Sequence, residues 1–502
     1  MGTLQVAEIF TDSMVLQRDA RIPLWGRAEH DAEITVSFCG QTVRTKARGG
    51  EWSLYLEPVG AGGPYEMRIS SGREEILLKD ILVGDVYLAG GQSNMEYVLA
   101  NDQNGAREIE EATYPNIRFY NVPRIPYEGA ELEEPKQYSK DAAWQCCSPK
   151  TAGSCSAVAY YFAKDIYSSV GVPVGIINCS WGGTSASCWM SRESLEDPAV
   201  RVYLDEYEAY ISRQSSEQYE KERSQYAEAL REYARKVSAV PYNPEKKEEY
   251  MKAVNSIPYP WPPPLGPKSF LRPAGLYYTM LRKIAPFSVK AVIWYQGESD
   301  TNKPALYRTL FGRMIDNWRG DFKNPQLPFL FVQLPSYGGG NPDGEDWAYL
   351  REQQVLVSKQ VPHTAMAVCI DCGEKDNIHP INKEPVGKRL ALLARRRIYG
   401  QDVEDSGPVL REMKIEGNKA VLTFDHASGL VLKGDGSKGF QICGEVQRFV
   451  DAKAEIQGDA VVVYAEGVEN PKAVRYGWSN HVETFLYNGA GLPASPFRTD
   501  GT

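Results

Sequence analysis

Four short segments carry residue types that could perform nucleophilic chemistry together. VYLAGGQSNM, residues 86–95, places Ser93 after an apolar run and two glycines, flanked by Gln92 and Asn94. A serine on a strand-to-helix turn can be held exposed at the carboxyl end of a parallel sheet, where open α/β folds bind ligands. Its own N–H then faces an incoming carbonyl oxygen. The pattern is not the G-x-S-x-G elbow, and by itself a serine after two glycines reads better as a plain turn.

A serine nucleophile needs a base, and the chain has only five histidines. His30 and His426 fall in β-like regions, and His363 directly precedes a strand. His379 sits in DNIHP, on a loop between the apolar strand TAMAVCID (364–371) and a helix expected to start near Pro385. Asp376 stands three residues earlier. In a tight loop, D-x-x-H lets a carboxylate accept from the imidazole Nδ1–H while Nε2 faces the serine. A capping Asp beside a surface His is the competing reading.

The third requirement is a set of donors for an oxyanion. Gly182 and Gly183 in NCSWGGTSASCW follow the strand VGIINCS (174–180) and can present backbone N–H groups with no Cβ in the way. Gln296, in WYQGESD, ends the strand KAVIWYQ (290–296) and could add a side-chain amide; Glu298 follows two residues on. Each segment lies just past a proposed sheet strand. Strand carboxyl ends converge in a parallel sheet, so nucleophile, base, orienting carboxylate and donors would meet in one cleft.

The elements that must position them read as follows. From Val6 to about Ile81, short alternating runs such as EITVSF and EWSLYLEP are separated by glycine turns, giving a small β-sandwich-like N-terminal domain, residues 1–81. From Leu82 the texture changes to continuous apolar strands, with PFLFVQL (328–334) among them. They alternate with helices such as SAVAYYFAKDIYSSV (156–170) and ALYRTLFGRMIDNWR (305–319). That alternation predicts a parallel sheet covered on both faces, an α/β domain over 82–400. Inside it, 195–237 reads as one or two exposed helices, followed by KKEEYMKAV and the proline-rich PYPWPPPLGP (258–267). This insertion, about 190–268, packs on the domain edge, forms a lid or makes an oligomer contact. After Gly400 the β texture returns, and 401–502 reads as a C-terminal β domain or extension.

GQSNM, WGGT, WYQGES and D-x-x-HP together resemble the SGNH-type serine esterases, specifically the sialate O-acetylesterase and carbohydrate acetylesterase group. IFTDSMVLQRD…PLWGRA, RPAGLYYTML, W-x-x-LREQQ (347–354) and YNGAGLPASPFRTD are also similar to that family. Only the segment of about 190–268 falls outside the resemblance. It implies an SGNH-like three-layer domain with a central parallel sheet and flanking β domains. It also implies Ser93 as nucleophile, His379 as base, Asp376 as acid, and oxyanion donors at the Ser93 N–H, Gly183 and Gln296. In the wider SGNH set an Asn usually fills the third donor place, so Gln296 departs from the pattern. Glu298 is a rival to Asp376, and Gln92 and Asn94 are accessory candidates.

The implied reaction is hydrolysis of sugar O-acetyl esters through an acyl-enzyme, with sialate as first substrate and plant xylan or pectin fragments as alternative. A carboxylate substrate would favour a bidentate Arg near the site, with Arg272 and Arg351 as candidates. No cofactor or metal is expected. Cys369 and Cys372 form a C-x-x-C with no second ligand pair at zinc spacing. A second class of function is a carbohydrate-binding protein on a disused hydrolase scaffold, using Trp52, Trp478 or the Tyr/Trp/Pro segment as platforms. Against it, every proposed catalytic position holds a competent residue. A third is a lipase or peptidase, against which the glycine-rich, acidic segment YGGGNPDGEDW (337–347) suits a polar substrate better.

Composition bounds the rest. The 502 residues are 42% hydrophobic and 24% charged, with a formal charge of −9, and the mean hydropathy is −0.42. The chain is long enough for a large core. Its acidity argues against nucleic acid and anionic lipid as partners. No apolar run approaches the roughly 18 residues that span a bilayer. MGTLQVAEIF holds no basic n-region or long apolar stretch; the family resemblance implies a periplasmic or secreted protein, with a cytoplasmic one left open. The sequence is silent on oligomeric state.

Overall fold

The structure, a computed structural model, describes residues 4–127, 142–241, 247–434 and 439–501. Its centre is a twisted sheet whose main path runs Gln145–Cys147, Tyr114–Asn121, Val174–Ser180, Glu74–Gly91, Ala291–Tyr295, Phe329–Val332, Thr364–Ala367. Neighbours along this path are parallel, except the antiparallel edge pair Gln145–Cys147 and Tyr114–Asn121. Four strands expected from apolar runs, those near 174, 290, 328 and 364, occur within a residue or four of their predicted ends. Tyr114–Asn121 is a sheet strand that the sequence reading did not propose. YPNIRFYN carries Pro, Arg and two Asn, which masks the apolar run Ile117, Phe119, Tyr120 that the sheet buries.

Two helix pairs cover the sheet. Ala157–Val170 packs on Glu384–Arg397, and Pro304–Asp321 packs on Asp346–Gln360. Local chemistry sets their ends. Ser156 caps the first helix by accepting from the Ala159 N–H at 3.2 Å, a bond worth about 1 kcal/mol. Gly171, with φ +75°, ends it in the left-handed conformation. The core between layers is aromatic: Trp189, Trp294 and Trp318 are all buried, with Trp294 and Trp318 edge-to-face at 5.5 Å.

The boundary placed between residues 81 and 82 falls inside one strand. Glu74–Gly91 is 18 residues long; its first half pairs with Gly62–Ser71 of the N-terminal β region and its second half lies between Val174–Ser180 and Ala291–Tyr295. Val15–Gln17 also pairs with it in parallel. Arg18 adds a bidentate ion pair to buried Asp85, with both N···O distances 2.9 Å.

The insertion contains the helices Val202–Ile211, Ser216–Ser238 and Lys247–Asn255. Ser216–Ser238 is largely exposed. It is laced by i,i+3 pairs such as Glu228–Arg231 and roots in the body through one buried side chain, Tyr219. At the C-terminus a seven-stranded antiparallel sheet spans Val409–Glu416 to Phe497–Arg498 and has its own core around Leu422, Phe440, Val461 and Tyr476.

Candidate active site

The carboxyl ends of the central strands converge as expected, and the glycines there are demanded by the sheet. Gly91 has φ +138°, and a Cβ on it would stand 2.1 Å from the Tyr295 carbonyl oxygen of the adjacent strand. The turn is locked by the Gln92 N–H donating to that same oxygen at 3.1 Å. A single helical turn, Ser93–Glu96, follows. Ser93 Oγ lies 2.8 Å from His379 Nε2, which is the distance a base needs to take a hydroxyl proton.

His379 is held by its own loop. The His379 N–H donates to Asn377 Oδ1 at 3.0 Å, and Asn377 Nδ2 donates to the His379 carbonyl at 2.9 Å. Glu374 braces the same loop, accepting from Asn377 Nδ2 and from the Ile381 N–H. Asn94 ties this loop to the serine turn: its Nδ2 donates to the Ile378 carbonyl at 3.0 Å and to Glu298 Oε1 at 2.6 Å. Its Oδ1 accepts from the buried Lys383 ammonium. Lys383 was not anticipated; a lone Lys four residues after a His carries no sequence signal of burial.

Burial, with the Lys383 charge adding, brings the His379 pKa down to about 4, so its imidazole is neutral at ordinary pH. Burial also brings Lys383 down to about 8, opposed by Glu298 and Asp102. Burial raises the Glu298 pKa against the Asn94 hydrogen bond, and its Oε2 is buried with no hydrogen-bond partner.

Two of the expected assignments need correction on geometry. Asp376 is exposed and makes no hydrogen bond to His379. Its charge acts on Tyr337 and His481, whereas the shift of His379 is set by burial and Lys383. The D-x-x-H spacing brings the backbone near, but Asn377 takes up the local turn. Glu298 does not reach the imidazole by a hydrogen bond either. The described residues therefore hold a Ser93–His379 pair with no carboxylate on the ring. The second correction concerns Gln296. Its Nε2 donates to Asp300 Oδ2 at 2.7 Å and to the Thr184 carbonyl at 3.2 Å, leaving no proton for a substrate oxygen. Buried Asp300, also unanticipated, accepts from Ser185 Oγ, the Ala186 N–H, Gln296 and Tyr203. It fixes the loop after the paired glycines.

The backbone donors remain. The Gly182 N–H is taken by Glu96 Oε2 at 2.6 Å. The N–H groups of Ser93 and Gly183 donate to no atom of the described chain. Gly183 has φ +75°, and its neighbour Gly182 is so close to Ser93 that a Cβ there would stand 3.1 Å from Ser93 Cβ. Gln92 contributes by accepting from the Ser299 N–H at 3.2 Å.

Neither candidate arginine serves the cleft. Arg351 is fully buried and spends its guanidinium on the carbonyls of Leu334, Pro335, Ser479 and Asn480; burial with no counter-ion lowers its pKa to about 9. Arg272 holds the Pro267 carbonyl at 2.7 Å. Arg124 reaches the serine turn through Glu96, the last residue of the helical turn that Ser93 opens. It pairs with Glu96, which holds Gly182, and its guanidinium carbon is 6.0 Å from the Trp181 ring centroid.

The profile of the carbohydrate esterase, sialic acid-specific acetylesterase family matches residues 83–237 and 266–394, more than half of the chain. The chain belongs to this family. It is a carboxylic ester hydrolase of the carbohydrate esterase kind. The family match takes in 190–237, which the motifs alone had left outside; only the stretch between 237 and 266 interrupts it. The sialate O-acetylesterase of Mus musculus is 27% identical over 98% of this chain and 93% of its own. That of Homo sapiens is 26% identical over 98% and 91%. A crystal structure of a carbohydrate acetylesterase from Xanthomonas citri is 36% identical, covers 99% of this chain and 100% of its own, and superposes with a TM-score of 0.79. Among the described residues no helix is long and apolar enough to cross a membrane, and no cluster of three His, Cys, Asp or Glu side chains could hold a metal ion. All nine cysteines are free thiols.

Proposed function

We propose that this carbohydrate esterase removes O-acetyl groups from sugars, sialate esters first, through an acyl-enzyme on Ser93. The observation that carries the reading is Ser93 Oγ at 2.8 Å from a neutral His379 Nε2, beside two unpartnered N–H groups. His379 takes the Ser93 proton as Oγ attacks the acetyl carbonyl. The N–H groups of Ser93 and Gly183 receive the oxyanion. The imidazolium protonates the departing sugar oxygen, and water then repeats the steps to release acetate and free Ser93. Asn94, Glu298 and Lys383 keep the His379 loop on the serine turn. The fold reading that accompanies this is an SGNH-like three-layer catalytic domain, acting outside the cytoplasm.

The finer preference for sialate rests on Arg124. Its half-exposed guanidinium lies beside the serine turn, where a sugar carboxylate could share its donors with Glu96. Ser93→Ala should reduce acetate release to background with an unchanged far-UV spectrum, because a half-exposed turn serine carries little packing. Undiminished hydrolysis of an aryl acetate by that variant would refute the nucleophile. A release assay across acetylated sialosides, xylan and pectin fragments ranks the sugars; Arg124→Gln should lower kcat/KM on sialosides more than on neutral sugars.

A further inference from the structure

The proline-rich stretch 258–267 supplies no group to the machinery above, yet one of its side chains ends on it. A Cβ at Gly183 would stand 2.0 Å from Trp261 Cη2 and within 2.9 Å of two more atoms of the same ring. The edge of an indole therefore rests on the backbone of the glycine whose N–H is left for an oxyanion. Trp261 is still 49% exposed, and its neighbour Tyr259 is 52% exposed. The two rings lie 6.5 Å apart at 28°, and Tyr233 of the helix Ser216–Ser238 meets Tyr259 edge-on at 5.1 Å. Exposing an indole and a phenol side by side forgoes the burial that usually accounts for such residues.

The ledge is held firmly. Pro258, Pro260 and Pro262 to Pro264 fix φ along the stretch, so little freedom is lost when something docks on it. Gly266 packs under the Tyr219 ring, the Lys268 N–H donates to Tyr219 Oη at 3.1 Å, and Gln214 Nε2 donates to the Leu265 carbonyl at 3.2 Å. Two residues before Gly183, Trp181 stacks on Phe270 at 4.5 Å and 8°, and the Arg124 guanidinium, paired with Glu96, lies 6.0 Å from its ring centroid. An exposed flat aromatic face against Gly183 fits a ring with an apolar C–H face and polar edges. A long acyl chain would require a deep apolar groove instead.

We propose that Trp261 is a sugar platform: the pyranose ring that bears the ester stacks on the indole while its acetyl carbonyl reaches Gly183 and Ser93. Trp261 would then set the preference of the enzyme for sugar esters over small acetates. This rests on the reading of Ser93 and of a carbohydrate substrate given above. The test compares wild type, Trp261→Ala and Trp261→Phe on an O-acetylated methyl glycoside and on 4-nitrophenyl acetate. Trp261→Ala should lose about tenfold more kcat/KM on the glycoside than on the aryl ester, mostly through KM, and Trp261→Phe should recover part of it. Equal losses on the two esters, with wild type active on both, would overturn the platform alone. Wild type that cleaves the aryl ester but no acetylated sugar would remove the carbohydrate reading and the platform with it. If the alanine variant fails to fold, the same comparison is made with the phenylalanine variant, for which an unaltered ratio of the two activities overturns the proposal.

Discussion

The chemistry proposed at Ser93 turns on which protonation state His379 holds. Its pKa of about 4 lies below the unfolded value near 6.5, so between those limits the unfolded chain binds the extra proton and the folded chain does not. Folding stability should therefore fall as pH drops from about 6.5 to about 4. The base should stay competent through the same interval. The acid limb of kcat/KM on 4-nitrophenyl acetate is expected near pH 4. Lys383→Met should move that limb upward, though only part of the way to 6.5, because burial is the larger cause. An acid limb at 6.5 in the wild type would contradict the environment described for the ring. Asp376→Asn should keep kcat/KM within about threefold of wild type, since the carboxylate is exposed and makes no bond to the imidazole. A loss of a hundredfold would return Asp376 to the role its spacing suggested. That spacing shows the limit of reading residues from sequence. D-x-x-H fixes how near two backbones lie, whereas side-chain direction is decided by competitors, here Asn377. The GG before Ser93 was legible because a positive φ and a close strand leave few alternatives to glycine.

At the scale of elements, the site depends on loops tied across strand ends. Buried Asp300 is the tie that the sequence concealed: WYQGESD offered Gln296 and Glu298 as the functional pair, while the carboxylate two residues later determines what Gln296 can do. Asp300→Ala should cost about 3 kcal/mol or more, since four donors lose one acceptor in a buried place. Denaturant unfolding measures it, and a change below 1 kcal/mol would refute the tie. The strands near 174, 290, 328 and 364 were legible from their continuous apolar runs, because a strand covered on both faces has no polar alternation. Tyr114–Asn121 was not, because at the antiparallel edge of the parallel path it tolerates the Pro and Asn that disguise it.

Across the whole molecule, Arg351 joins the catalytic layer to the C-terminal sheet. A guanidinium in the W-x-x-LREQQ segment invites a substrate role from sequence alone, but its four bonds go to carbonyls on both sides of that junction. Arg351→Met should lower Tm clearly and raise susceptibility to proteolysis between residues 478 and 482, while KM for the acetylated sugar changes little; a large KM effect at unaltered Tm would argue for substrate contact after all.

The strand Glu74–Gly91 has a practical consequence. Ser93, the proposed nucleophile, is delivered at one end of a continuous ribbon whose opposite end is hydrogen-bonded into the N-terminal sheet. Trimming the protein to a minimal hydrolase by starting at residue 82 would sever that ribbon midway, leave Val83 without its partners Leu16 and Gly62, and leave the Val86 N–H without the Gln17 Oε1 to which it donates. The N-terminal module is therefore part of the scaffold for catalysis and not an appendage, and engineered fusions or permutations are better opened elsewhere, such as the exposed turn at Gly417 between Val409–Glu416 and Lys419–Asp425.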